Sequence, residues 1–600
     1  MTDIRSRRAE TIGRIGLAVA IAGALLAFTI KVPDAYGIPK LLAVAAGALA
    51  AWWGVLAGSV PGERVGGTPP DRAVLLCIAV VTLATAFSED PPRSVSGGYV
   101  YFLYGILPVS LFASLHFAAS RLSRPETILW TLRAALGAAV LCGAYAGLQA
   151  AGLEPLLPVA SAGTIKGRVI STLGGPVYLG SALVAFAPLA LHFALKDDPA
   201  DRALGLLATL AVWTGMFFSV SRGAMAGGMA ACAFAWIASR RDLSRRFRSS
   251  GALVVTVAAG AALAALLAFG TSRSRTASDA GRVEVWKTAL RTAVAHPVLG
   301  VGPDAFEIGL RRHRTERLVA LVGPGGGQAD AHNEFLQIAA TMGVVGLLAY
   351  GFLLWSLAAA LVSALSQDGP ERALTAALGG ALVGVFIQAK VNPVSFSAIV
   401  SLSVFSGWIS ARSRPIGPEV PVRPAAGVFL GLAFASLIFS AVLFHTDHLR
   451  QIAETARARG DMDTAIVSYR SAIRRNPCYC EYGSAYGSLL AMLVFKAPEP
   501  VRPPLAKELF VLARKLKKRH PGDVRGSHML GLACLVGGKL AGEDCLQAAE
   551  KELERARRLD PYSPAVLRDS AGIARLAGDS AAAAGFEKRR DAILALRVLK

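Results

Sequence analysis

The chain has 600 residues, of which 54% are hydrophobic and only 17% charged, with a mean hydropathy of +0.48. A soluble protein of this length carries about 25% charged residues, so composition excludes an ordinary soluble enzyme. The net charge of +22 is spread over loops with few interleaved aromatics, which argues against a nucleic-acid partner and for anionic lipid or phosphate.

The charge deficit lies in the first 445 residues, where apolar stretches of membrane-spanning length recur. The first follows RSRRAETIGR with no small-residue cleavage site after it. It reads as a retained signal anchor. Taking about 20 residues per span, candidates fall near 13–30, 38–58, 71–87, 99–118, 128–150, 178–195, 202–219, 224–238, 251–270, 342–365, 372–390, 394–410 and 425–445. The pieces meeting around 219–224 can also be read as one broken helix. The expected fold class is therefore all-α: a polytopic helical membrane protein of about 12–13 spans over 1–445, with a soluble α-helical tail over 446–600.

Arginine and lysine in short loops set orientation. The loop SRRDLSRRFRSS carries Arg240, Arg241, Arg245, Arg246 and Arg248. Arg121 and Arg124, and likewise Arg412, Arg414 and Arg423, occupy connections of the same parity. Those loops and the amino terminus are expected inside. Parity then puts the stretch from about 271 to 341, and the tail, outside.

The tail repeats a pattern. GDMDTAIVSYRSAIRRNP spaces Ala465, Tyr469, Ala472 and Pro477 as AAEKELERARRLDP spaces Ala549, Leu553, Ala556 and Pro561. Small residues allow close helix packing and proline ends the turn, which resembles the second helix of a tetratricopeptide repeat. A generic helical bundle is the alternative. Cys77, Cys142 and Cys232 lie in spans as packing residues, whereas Cys478, Cys480, Cys534 and Cys545 lie in the tail at no zinc-like spacing. In an oxidising compartment these four allow up to two disulfides. Cys478 and Cys480 are too near in sequence to pair comfortably, so each is expected to seek Cys534 or Cys545.

Four segments carry candidate chemistry, and parity puts all of them outside. They are KGRVISTLGGPVYLG with Arg168, SVSRGAMAGG with Arg222, GRVEVWKTALRTAVAHPVLGVGPDAF with Arg282 and Arg291, and GGGQADAHNEFLQIAATMGVVG with His332 and Asn333. Each has a bland explanation. Arg222 can snorkel to the interface, Arg168 can pair with a nearby carboxylate, Arg282 can sit on the exposed face of an amphipathic helix, and Asp330 or Asn333 can cap the tenth span. Together they point to something sharper. Guanidinium forks match phosphate oxygens in pairs, and a neutral imidazole can take a proton from an attacking hydroxyl. No acidic pair or His/Cys cluster accompanies them, so the motifs call for no metal and no cofactor.

At these residues the chain resembles the bacterial O-antigen ligase and O-antigen polymerase superfamily. The resemblance rests on SRG at the end of a span, GR-x3-W, P-x-LG-x-G-x3-F and HN-x2-LQ-x5-G-x2-G, in that order, and is tightest over about 165 to 350. It implies a GT-C-like, metal-independent membrane glycosyltransferase. Such an enzyme moves a glycan from undecaprenyl diphosphate to a hydroxyl acceptor at the periplasmic face of the inner membrane. By the same resemblance Arg222 and Arg282, and less securely Arg168, engage the diphosphate. His332 matches the histidine assigned to acceptor activation or donor contact, with Asn333 and Arg291 as supporting candidates. Many members carry a glutamate two residues before the glycine that follows the histidine motif; here Thr341 stands there.

The acceptor, a lipid A core sugar for a ligase or a growing glycan for a polymerase, leaves no readable code in the sequence. Protein O-oligosaccharyltransfer is a third option within the class, and a protein partner on the repeat-like tail is a further expectation. The competing class is a solute transporter, which usually keeps ionisable residues at mid-membrane. Lys390, with Asn392 and Pro393, is the main residue of that kind, and it falls where two spans meet.

Overall fold

The computed structural model describes residues 2–99, 102–156, 164–165, 167–240, 276–367, 369, 371–415, 419–541 and 545–596. The expected ninth span and most of the SRRDLSRRFRSS loop lie outside them. Helices dominate: α1 (Thr2–Leu26), α2 (Gly37–Gly58), α3 (Pro69–Ala86), the short α4 (Pro91–Ser96), α5 (Ile106–Arg121) and α6 (Pro125–Ala150) come first. Then follow α7 (Pro176–Val184), α8 (Ala187–Ala194), α9 (Pro199–Phe218) and α10 (Arg222–Ser239). Two-residue strands Thr164–Ile165 and Arg168–Val169 form a small antiparallel ribbon before α7.

Beyond residue 275 come α11 (Thr276–Ala295), α12 (Phe306–His313), α13 (Glu316–Val322), α14 (Glu334–Ser366), α15 (Arg372–Gln388), α16 (Phe396–Ala411) and α17 (Val422–Arg459). The tail adds α18 (Met462–Arg475), α19 (Cys480–Lys496), α20 (Arg502–Arg519), α21 (Val524–Ala541), α22 (Leu546–Leu559), α23 (Pro564–Leu576) and α24 (Ser580–Ala595). The chain is an all-α polytopic membrane protein.

Among the described residues, α1, α2, α3, α6, α14 and α17 are long and apolar enough to cross a membrane. The pair α7–α8 makes a seventh if its 45° bend lies within one span. The bend has a local cause, since Pro188 removes a donor just inside α8. The sequence suggests more spans than that. Part of the difference lies in short segments such as α5, α15 and α16, whose 16 or 17 residues reach only about 24–26 Å against a hydrocarbon core of about 30 Å. Part lies in α9 and α10, which have 20 and 18 residues but are not among the helices apolar enough to count.

Small residues let these helices touch at the backbone, as membrane bundles require. A Cβ on Gly16 of α1 would lie 2.3 Å from Ala51 N of α2, and one on Gly227 of α10 would lie 2.6 Å from Gly384 O of α15. The second approach matters for function, because it lays the start of α10 against the end of α15.

One helix is broken. Gly343 interrupts α14 at φ 62°, ψ −158°, leaving backbone groups without helical partners. The loop 297–302, HPVLGVG without its first residue, supplies them. Val344 N donates to Pro297 O at 2.8 Å, Val301 N to Ala340 O at 3.0 Å and Gly302 N to Thr341 O at 3.0 Å. Thr341, where a glutamate was noted in relatives, is fully buried and its hydroxyl donates to Gln337 O within its own helix. The glycine motifs are thus a backbone clasp between the segment after α11 and the broken helix.

The tail is helical throughout its described length. Ala465, Tyr469, Ala472, Ala549, Leu553 and Ala556 are all fully buried, so the repeated spacing marks inward faces. Cys534 and Cys545 pair in a disulfide, while Cys478 and Cys480 stay free. This corrects the expected partners. Cys545 at the start of α22 comes back beside Cys534 of α21, with Cα atoms 5.8 Å apart, while Cys480 is buried in α19.

No flexible linker separates the tail from the bundle: α17 runs unbroken for 38 residues into it, and the tail also docks back. Arg93 of α4 is 5% exposed and faces Glu481 at 2.9 Å, Glu307 at 3.4 Å and Asp523 at 3.8 Å. His520 Nδ1 lies 2.9 Å from Asp90, and Arg311 and Arg314 of the α12 region both meet Asp560. Burial alone would raise the Glu307 carboxyl, but Arg311, Arg93 and Arg525 outweigh it and hold it at about 2. A depressed carboxylate stabilises above its unfolded value of 4.5 and loses that contribution as pH falls toward about 2. Arg93→Ala, which strands several carboxylates, is expected to cost about 3–5 kcal/mol of docking. Limited proteolysis should then cut the variant between bundle and tail at neutral pH and cut the wild type there only in acid.

Candidate functional site

The polar groups gather at the end of the bundle from which the tail projects. Asp34, between α1 and α2, meets Asp447 near the outgoing end of α17 through its amide at 3.0 Å. Lys40 of α2 donates to Thr172 O, in the stretch just after Arg168.

Arg168 is half-buried, and its Nε donates to Ser219 O at 2.8 Å. That carbonyl ends α9, and a sharp turn follows. Val220 takes φ 50°, a left-handed conformation that is costly for a β-branched residue and typically kept where geometry must be held. Ser221 then caps α10 through Ala224 N at 3.4 Å, and Arg222 is the first residue of that helix. The same capping hydroxyl accepts from Asn392 Nδ2 at 3.3 Å. Asn392, 3% exposed, in turn accepts at Oδ1 from Arg282 Nη2 of α11 at 3.3 Å.

Two residues earlier, Lys390 O accepts from Asn333 Nδ2 at 3.1 Å, and Glu334 N donates to Ala389 O at 3.1 Å. The four residues 389–392, just past α15, are thus the hub that joins the starts of α10 and α14 to the middle of α11. Arg222, Arg282, His332 and Asn333 come to this hub through named contacts or direct chain neighbours, and Arg168 bonds to Ser219, two residues before the capping Ser221. Arg291 does not. It is exposed and sits nine residues beyond Arg282, which at about 100° per residue puts it on the opposite face of α11.

Asn333 is the cap of α14: its Oδ1 accepts from Leu336 N at 3.1 Å. The imidazole next to it has a different task. His332 takes φ 57°, held there by its amide donating to Asp330 Oδ1 and by Nδ1 lying 3.1 Å from Asp330 O. A carbonyl oxygen only accepts, so in the neutral ring Nδ1 carries the hydrogen and Nε2 has the lone pair. Burial raises the Asp330 carboxyl above the ordinary range, and His332 beside it works in the opposite direction.

Beside the hub opens an apolar cavity of about 460 Å³ between α3, α5, α14, α15 and α16. Its walls are side chains such as Val81, Phe112, Ile338, Leu357 and Phe386, and its polar fringe includes Tyr104, Glu334 and Tyr350. Lys390 and Asn392, noted in the sequence only as marks of transport, and Glu334, not singled out at all, are the residues that reading by motif leaves aside. A lysine and an asparagine between two spans were the available signal.

Fold and site together define a polytopic membrane protein with arginines and a histidine gathered at one end of its bundle, next to an apolar cavity. Residues 207–351 match the family model described as O-Antigen ligase, which supports the resemblance to that superfamily. The matched segment contains Arg222, Arg282, Arg291, His332 and Asn333 and stops short of the 389–392 hub. No curated protein matches the chain.

Proposed function

We propose that the protein is a glycosyltransferase of the O-antigen ligase type, moving a glycan from undecaprenyl diphosphate to a hydroxyl acceptor at the periplasmic face of the bacterial inner membrane. The observation that carries this reading is the hub, which gathers Arg168, Arg222, Arg282 and His332 beside a cavity suited to a polyprenyl chain. The acceptor oxygen attacks the anomeric carbon as its proton passes to His332 Nε2. The bond from that carbon to the diphosphate oxygen breaks, and the diphosphate leaves with the electron pair. Arginines neutralise it there, the work a metal ion does in other active sites.

The tail is the tetratricopeptide-like part of this reading, a rigid surface for a protein partner or the acceptor complex. A disulfide at Cys534–Cys545 suits an oxidising compartment. Glycan analysis of a deletion strain tests the whole. Loss of surface polysaccharide with accumulated lipid-linked polymer is the ligase outcome, accumulated single repeat units are the polymerase outcome, and an unchanged profile refutes both.

His332→Asn tests the proton acceptor. Asparagine tolerates a left-handed backbone, and Asn333 rather than His332 makes the cap, so the melting temperature should hold. Turnover is expected to fall by roughly 10²–10⁴ while donor binding stays. Unchanged turnover in a stable variant would make His332 structural.

A further inference from the structure

Lys390 lies where the polar hub meets the apolar cavity. Its backbone carbonyl is held by Asn333, and Asn392 two residues on holds Arg282. The side chain reaches the other way. Its Nζ lies 3.4 Å from Glu334 Oε2 and only 3.9 Å and 4.0 Å from the ring centroids of Phe335 and Phe386. Ring faces attract an ammonium electrostatically without using its hydrogens. Among the described residues one carboxylate oxygen is the hydrogen-bond partner of a group with three donors.

Glu334 is not dependent on that lysine. It is the first residue of α14, immediately after the capping asparagine, where the unpaired N–H groups of a helix start favour a negative charge. Tyr350 lines the same cavity wall beside it. The carboxylate therefore keeps a favourable environment if the ammonium moves, with the helix start and the neighbouring phenol still beside it. The ion pair sits at the mouth of the cavity, on the segment that also positions Arg282.

We propose that Lys390 is a further cation for the carrier's diphosphate, and that Glu334 holds it in reserve until the diphosphate takes it over. This rests on the function proposed above and extends it: the lysine swings from carboxylate to phosphate, so the site favours a lipid diphosphate, with its extra negative charge, over the monophosphate. A point charge on a flexible stem suits such a hand-over, whereas the planar arginine forks suit fixed contacts.

The test is equilibrium binding of undecaprenyl diphosphate and undecaprenyl monophosphate to the full chain in nanodiscs. Lys390→Met is expected to weaken diphosphate binding about tenfold, the loss of one charge-assisted contact, with monophosphate binding little changed. Glu334→Gln is expected to tighten diphosphate binding, because the competitor for the lysine is gone, and the double variant should bind as weakly as Lys390→Met. Weakened binding in both single variants with recovery in the double one would reveal a purely structural ion pair and overturn the proposal. Wild-type binding by Lys390→Met alone would overturn it too. Wild-type binding by Arg222→Ala and Arg282→Ala would overturn the diphosphate site itself, a distinct result.

Discussion

Arg282→Ala and Arg222→Ala should each reduce glycan transfer by about 10²–10³-fold or more while the protein still inserts, the usual loss when a preorganised group facing developing charge is removed. The Arg282 guanidinium is already oriented by Asn392, and Arg222 begins a helix whose cap is bonded to the same asparagine. In the proposed reaction the Arg282 guanidinium is therefore in place before any diphosphate leaves. Lysine at either place brings the charge without the planar fork and is expected to rescue poorly. Transfer by purified variants, compared with their yield in the membrane, measures this. Full activity in both lysine variants would sink the paired-contact model, and loss of yield would mean the arginines hold the bundle together.

Gly300→Ala is expected to prevent folding. A Cβ there would lie 2.2 Å from the Thr341 carbonyl carbon, and Gly300 sits at φ 66°. Moving the loop away to relieve the clash would undo the hydrogen bonds that cover the break in α14, leaving buried donors and acceptors unpaired. Gly343→Ala should fail likewise, with its Cβ 2.3 Å from the Val298 carbonyl carbon. Gly351→Ala in the same helix is the control, since nothing lies within 4 Å of its added carbon; it should be neutral or stabilise by roughly 0.5–1 kcal/mol. Thermal melts in detergent separate the cases. A Gly300→Ala protein melting near wild type would show that the clasp is dispensable.

Local pattern and tertiary contact contributed differently to what could be read in advance. The all-α membrane class follows from apolar run lengths, and the recurring alanine spacing of the tail marks its buried faces. Apolar run length places the tenth span at 342–365, eight residues inside α14, because hydropathy favours the run after Gly343, while Asn333, one of the two caps the sequence offers, opens the helix at Glu334. Helical periodicity alone separates Arg282 from Arg291, a distinction that grouping them by motif overlooked. The hub could not be read locally: Arg282 and Asn392 are 110 residues apart, Asn392 and Ser221 171. The docking of the tail is more distant still, with 388 residues between Arg93 and Glu481.

That docking bears on how such a chain can be recombined. Asp90 and Arg93 come early in the sequence, Glu307 and Arg311 in its middle, and their partners Glu481, His520, Asp523 and Asp560 near its end. A chimera that exchanges everything after residue 459 for another protein's repeats would keep the first two groups and discard the third. It would inherit half of a charge-matched seam. Only a graft that carries residues 89–93 and 307–314 along with the new tail is expected to dock as the native tail does, because exchanging the tail alone strands those buried charges without partners.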